Sequence, residues 1–167
     1  MATAAWHADT DLLVFLDADV SDAEAAWVTT LTEPLRDPSV VLVKSRYQRD
    51  LHGRPNEGGR VNALLARPLL RRYRPDLAHL SQPLSGECAV RRAALLDLAL
   101  EPGYGVEMGM LIDVADRYGA GSIAEVDLGR RTHRNRPLRD LEQHADVILD
   151  VVMRRHVADV APLRALG

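Results

Sequence analysis

The chain has 167 residues, of which 47 % are apolar and 27 % charged, with a net charge of −3. These values suit one globular domain with its own core and exclude the global basic field that draws nucleic acid or membrane surfaces. A single cysteine, Cys88, excludes an intrachain disulfide and a multi-cysteine zinc site, no apolar run is long enough to span a bilayer, and a reducing cytoplasmic setting is expected.

In chain order, Leu12–Leu16 reads as a short buried strand, and it runs directly into Asp17-Ala18-Asp19. Ser21 to Glu24 matches a capping box, so a helix is expected from there, with Trp27, Val28, Leu31 and Leu35 inward and Pro34 kinking or ending it. Val40–Lys44 reads as a second strand, and the polar, glycine-rich stretch 47–59 as a mobile loop. Val61–Tyr73 is helical by the spacing of Val61, Leu64, Leu65 and Leu69, although Pro68 interrupts it. Residues 80–92 read as loop and strand, and 93–99 as a short helix. A glycine-rich turn then enters a helix near Val106 with Met110, Leu111, Val114 and Tyr118 on its apolar face, ended by Gly119 or Gly121. Ile123–Leu128 alternates like a half-buried strand, 129–137 is a basic loop, and Leu138–Val157 is a long amphipathic helix. Trp6 and Trp27 are expected in the core, and Cys88 as a small buried hydrophobe. The order of strands and helices indicates an α/β domain of three layers.

Four groups of residues carry chemistry. Carboxylates are costly to bury without a partner, so Asp17 and Asp19 at a strand's carboxyl end suit Mg²⁺ or Mn²⁺; capping of the next helix is the plain alternative. The basic loop holds Arg130, Arg131, His133, Arg134 and Arg136. Arginine binds phosphate bidentately and neutral imidazole ligates Mn²⁺, although a charge run is by default a solvated surface. The arginine surplus itself is no evidence, since Lys44 is the sole lysine and codon bias explains such a ratio. Glu87 and Glu107 each follow glycines, where a carboxylate can accept hydrogen bonds from sugar hydroxyls or complement a helix N-terminus. Gly58-Gly59-Arg60-Val61-Asn62 opens a helix and suits an anion as well as it suits an ordinary helix entry. The remaining histidines (His7, His52, His79, His144 and His156) show no ligand spacing.

Taken in order, "FLDAD", "GGRVNALLARPLL", "QPLSGECAVRR", "PGYGVEMGMLID" and "VDLGRRTHRNRPL" closely resemble the glucosyl-3-phosphoglycerate synthases, which are retaining GT-A-type glycosyltransferases. The resemblance covers nearly the whole chain from the D-x-D strand onward. It implies a GT-A-type, Rossmann-like three-layer α/β/α sandwich and transfer of glucose from UDP-glucose, or another NDP-glucose, to the 2-hydroxyl of 3-phosphoglycerate with Mg²⁺ or Mn²⁺. Residue by residue it implies Asp19 and His133 as metal ligands, and Asp17, Ala18, Asp19, Glu107 and Arg131 on the donor side. Glu107 and Arg131 are the implied catalytic pair, and Gly59, Arg60, Asn62 and Asn135 the acceptor site. Asn62 departs from the family, where a threonine is common.

In that family the D-x-D follows the first strands of the nucleotide-binding half, whereas Met1 opens in what is expected to be the helix just before it. The fold is therefore expected to be N-terminally truncated, with weak activity or none from this chain alone. The resemblance divides it into residues 1–137, the metal and acceptor side of the catalytic domain, and 138–167, a helical segment suited to homodimer contact. The alternatives are a non-catalytic phosphoglycerate- or metal-binding module and a related synthase using mannose or glycerate.

Overall fold

The computed structural model describes every residue except 19, 21–22, 50–58, 132–137 and 157–167, with backbone alone for Arg49, Arg131 and Leu138. Its elements are α1 (Ala2–His7), β1 (Leu12–Phe15), α2 (Ala25–Thr32), β2 (Leu42–Arg49), α3 (Arg67–Tyr73), β3 (Cys88–Arg91), α4 (Arg92–Leu96), α5 (Val106–Tyr118), β4 (Ile123–Arg131) and α6 (Leu138–His156). The strands form one mixed sheet in the order β1-β3-β2-β4. β3 lies antiparallel between β1 and β2, and β4 runs parallel to β2. β1, β2 and β4 therefore point the same way.

Period-two alternation gives the sheet two apolar faces. Leu42, Cys88 and Val90 face the larger core with Leu70 of α3, Met108, Leu111 and Val114 of α5, and Ile148, Val151 and Val152 of α6. Val43, Ala89 and Leu128 face the other way, onto Trp27, Leu31 and Leu35. Helices thus cover both faces, which gives the expected three layers.

Several boundaries differ from the sequence reading. α2 starts at Ala25 with Glu24 as its cap residue, which makes no side-chain capping bond; Ser21 and Asp22 lie outside the described residues. It passes into a 3-10 turn at Glu33–Arg36, where Pro34 cannot donate to an α-helical ladder. β2 runs on to Arg49, because β4 continues beside it as far as Arg131, so 47–49 are strand and not loop. The rest of that expected loop, to residue 58, lies outside the described residues. Pro68 does not break its helix. A π-helical turn, Asn62–Ala66, closed by Arg67 N–H donating to Asn62 C=O, precedes it and absorbs the lost bond. That turn rotates the helix, so Ala66 and Leu70 are buried while Leu64 is 76 % exposed.

Trp6 is also a correction: it is 71 % exposed on the short α1, and only Ala5 of that helix reaches the core. Val28 and Tyr118, expected on apolar faces, are exposed as well. Gly119 ends α5 as expected, at a φ of +85°.

Two arginines clamp α5 from either side. Arg155 of α6 donates to both oxygens of Asp113 at 2.7 and 2.8 Å and to Glu101 at 2.7 Å. Arg74, after α3, donates to Asp76 at 2.8 and 3.0 Å and to Asp116 at 2.7 Å. Removing one cation from a partly buried cluster leaves carboxylates facing one another. Arg155→Met is therefore expected to lower stability by about 1–3 kcal/mol. Thermal melting checks this, with a fall in Tm of about 3–10 °C expected.

Candidate active site

Because β1, β2 and β4 are co-directional, their carboxyl ends lie along one edge of the sheet. In sequence, β1 is followed by Asp17 and Asp19, β2 by the stretch leading to Gly59 and Arg60, and β4 by the basic stretch that includes His133. In open α/β sheets ligands bind at that edge. Asp19, His133 and Asn135 lie outside the described residues, and of Arg131 only its place at the end of β4 is described.

The described part of the site is built on the loop 81–87. Glu125 of β4 accepts from Ser81 N–H at 2.9 Å, Ser81 Oγ at 2.8 Å and Gln82 N–H at 3.0 Å. Gln82 Nε2 donates to Tyr47 C=O. Asn62 Oδ1 accepts from Leu84 N–H at 3.0 Å, which ties the start of the 60–73 helical run to the same loop. Lys44 Nζ donates to Ser85 C=O at 2.5 Å, and Ser45 N–H donates to Glu87 C=O at 3.1 Å. The segment that crosses the site is thus pinned from β2, β4 and the 60–73 helical run.

Asp17 rests on this loop at its one glycine. A Cβ built on Gly86 would sit 2.0 Å from Asp17 Oδ1, so only glycine lets the carboxylate lie there. Gly59, at the entry to the 60–73 helical run, has a φ of +71°, which disfavours any side chain. Its hypothetical Cβ lies 4.0 Å from Asn62 Nδ2. The structure therefore brings Gly59, Arg60 and Asn62 together at one helix start, and joins them to the loop that supports Asp17.

Glu107 is the second residue of α5, where the helix dipole favours a carboxylate. Burial nonetheless holds it above the usual carboxylate range; Lys44 opposes that shift and Asp17 adds to it. The Cys88 thiol is pushed up to about 11 by burial, with the charges of Lys44, Glu107, Glu87 and Asp17 acting on it in turn. It is no nucleophile. Asp17, Lys44, Glu87, Cys88 and Glu107 are one electrostatic group at the level where β1 ends. Glu87, read from sequence as able to meet a sugar, is fully buried in protein.

Lys44 is the residue that sequence reasoning missed, although a signal existed. It stands two positions after Leu42, on the same face of an apolar strand, so it had to point into the core. Glu125 was missed because the apolar alternation of Ala124, Val126 and Leu128 puts it with Asp127 on the polar face; Asp127 is exposed, whereas Glu125 is half-buried against Ser81 and Gln82. Among the described residues no cluster of three or more His, Cys, Asp or Glu can hold a metal ion. No described helix is long and apolar enough to cross a membrane.

No protein-family model matches the chain. Over 153 residues it is 43 % identical to the glucosyl-3-phosphoglycerate synthase of Mycobacterium tuberculosis, covering 87 % of this chain and 47 % of that one. The chain is a homologue of the glucosyl-3-phosphoglycerate synthases. It is 41 % identical to that of Petrotoga mobilis over 152 residues, covering 88 % of this chain and 47 % of the relative. The crystal structure of the M. tuberculosis synthase with Mn²⁺, UDP and glucosyl-3-phosphoglycerate superposes with a TM-score of 0.83 at 42 % identity, over 92 % of this chain and 52 % of that one. A complex with Mn²⁺, UDP-glucose and phosphoglyceric acid gives 0.82. The fold is thus the GT-A-type α/β fold of those synthases, and the chain spans about half their length.

A carboxyl whose folded pKa is raised binds its proton more tightly in the native state. Its contribution to stability is complete below the ordinary value of 4.5 and is lost as pH rises through the folded value. Glu107→Gln removes that loss. Its Tm is expected to match the wild type near pH 4 and to exceed it by about 1–3 °C at pH 7, as measured by calorimetric melting.

Proposed function

We propose that this chain is the metal- and acceptor-binding half of a retaining glucosyltransferase. The reaction moves glucose from UDP-glucose, or another NDP-glucose, to the 2-hydroxyl of 3-phosphoglycerate. One observation supports the reading: the chain is 43 % identical to the M. tuberculosis synthase over 153 residues, and β1, β2 and β4, after which the candidate residues follow in sequence, are co-directional. Asp17 and Ala18 line the nucleotide side, Glu107 holds the glucose, and Arg131 faces the diphosphate. Gly59, Arg60, Asn62 and Asn135 take the phosphate and carboxylate of the acceptor, to which a guanidinium and helix-start N–H groups are suited. With Oδ1 committed to Leu84, Asn62 keeps its Nδ2 hydrogens for the acceptor, a donor role that a threonine hydroxyl can also fill.

Asp19 and His133 are a hard carboxylate and a neutral imidazole, a donor pair that fits Mg²⁺ or Mn²⁺. A divalent ion held there supplies positive charge to the leaving diphosphate. The chain's own residues do the rest. Arg131 stabilises charge that grows on the β-phosphate as the bond from the sugar's anomeric carbon to that phosphate breaks. The acceptor oxygen forms the new bond on the same face, and its proton passes to the departing phosphate oxygen. Glu107 orients the glucose by accepting from its hydroxyls, for which the carboxylate offers the most acceptor sites. The whole protein is expected to be cytoplasmic, where sugar nucleotides and phosphoglycerate occur, and to pair with a second copy along residues 138–167, beside the 1–137 part that carries the site.

Incubation with UDP-glucose, Mn²⁺ and 3-phosphoglycerate is expected to yield glucosyl-3-phosphoglycerate and UDP, slowly, because the chain spans half of a synthase. Glu107→Gln is expected to cut that rate by about 10²-fold. Unchanged turnover in the variant removes Glu107 from its role. The alternative reading is a non-catalytic phosphoglycerate-binding module. Calorimetric binding of 3-phosphoglycerate with no UDP release from any donor identifies that module.

A further inference from the structure

Lys44 has no exposed surface, and it is the only lysine in a chain with 21 basic residues. It sits in the middle of β2, in register with Cys88 on one side and Glu125 on the other. Burying an ammonium costs several kcal/mol unless charge and hydrogen bonds offset it. An apolar side chain of the same length would fill the space without that cost, so packing does not account for it. Arginine, abundant elsewhere in the chain, presents a broad planar fork where this position holds a compact point charge.

The surroundings show what the charge acts on. Mechanically, Nζ holds Ser85 C=O at 2.5 Å, and the next residue, Gly86, is the one on which the Asp17 carboxylate rests. Electrostatically, Lys44 is the positive charge that opposes the burial of Glu107. The other ionisable groups in this cluster are Asp17, Glu87 and Cys88. Both links end on the two carboxylates assigned above to the donor side.

We propose that Lys44 is a positioning residue for glucosyl transfer: without touching substrate, it fixes the 85–87 turn beneath Asp17 and places a positive charge that acts on Glu107. This rests on the functional reading given above, and it deepens it by supplying the support for the donor-side acids. The competing role is purely structural, a counter-charge for the fully buried Glu87.

Three variants of the full chain separate the two roles: Lys44→Met, Glu87→Gln and the double variant. Lys44→Met alone is expected to melt early, because Glu87 is left buried without that cation. The double variant removes both charges and is expected to melt close to the wild type. In it, the side-chain carboxyl ¹³C signal of Glu107, assigned by its loss in Glu107→Gln, is expected to titrate about half to one pH unit higher than in Glu87→Gln. Its kcat for UDP release is expected to fall about tenfold or more relative to Glu87→Gln, with KM for 3-phosphoglycerate little changed. A folded double variant whose Glu107 titration is unmoved overturns the proposal, and so does an unmoved kcat. If the wild-type chain shows no turnover with any sugar nucleotide, the functional reading fails while the titration still decides the role of Lys44.

Discussion

An ammonium with no exposed surface sits at the level where β1 ends, and the site is arranged around it. Its hydrogen bond to Ser85 fixes the turn that carries Gly86, its charge opposes the burial of Glu107, and its strand runs on to the segment that approaches Gly59. A low-dielectric interior makes such a group costly alone and effective when surrounded by carboxylates. Asp17, Glu87 and Glu107 come from three separate stretches of chain, so folding must be complete before the charges balance. Stability and site geometry are therefore the same problem in this part of the molecule.

The arginines show the opposite use of positive charge. Arg91 donates to the carbonyls of Val40, Leu35 and Asp37, and Arg92 to that of Ala5. Arg74 and Arg155 brace α5 from outside the site. These residues close off backbone groups and join layers, as broad multi-donor forks are suited to do. Arg130 and Arg131 differ by their position, at the carboxyl end of a strand parallel to β2. Location, not number, is what separates an arginine proposed to meet a diphosphate from one that holds a helix in place.

Much of this was legible in the sequence, because periodicity reports faces. The positions of the four strands and of the helices from Val106 and Leu138 were legible, and Cys88 is buried as a small hydrophobe should be, although the first strand, expected buried, is only half-buried and ends at Phe15 with Leu16 exposed. What escaped detection was register and rotation. The insertion of β3 antiparallel between β1 and β2 is a long-range choice that no local pattern encodes. The π turn before Pro68 rotated a helix that even spacing places wrongly, and it exposed Leu64. Trp6 was misjudged because an isolated aromatic says nothing about which way a six-residue helix faces. Lys44 is different: alternation with Leu42 already turned it inward, and its polarity drew attention away from that, while Glu125 shares its face with the exposed Asp127 and needed the 81–82 loop to reveal its role.

The loop 81–87 joins the parts into one machine. Anchors from β2, β4 and the 60–73 helical run converge on it, so Asn62 is tied through Leu84 to the loop whose turn lies under Asp17. The most direct measurement of that account is amide mapping by ¹⁵N NMR as UDP-glucose and Mg²⁺ are added to the chain. Shifts concentrated at Ala18, Ser85, Gly86 and Glu107, with Val28 on the far face and Trp6 unmoved, are the predicted result. Saturable shifts that bypass the 85–87 turn and the start of α5 would contradict it.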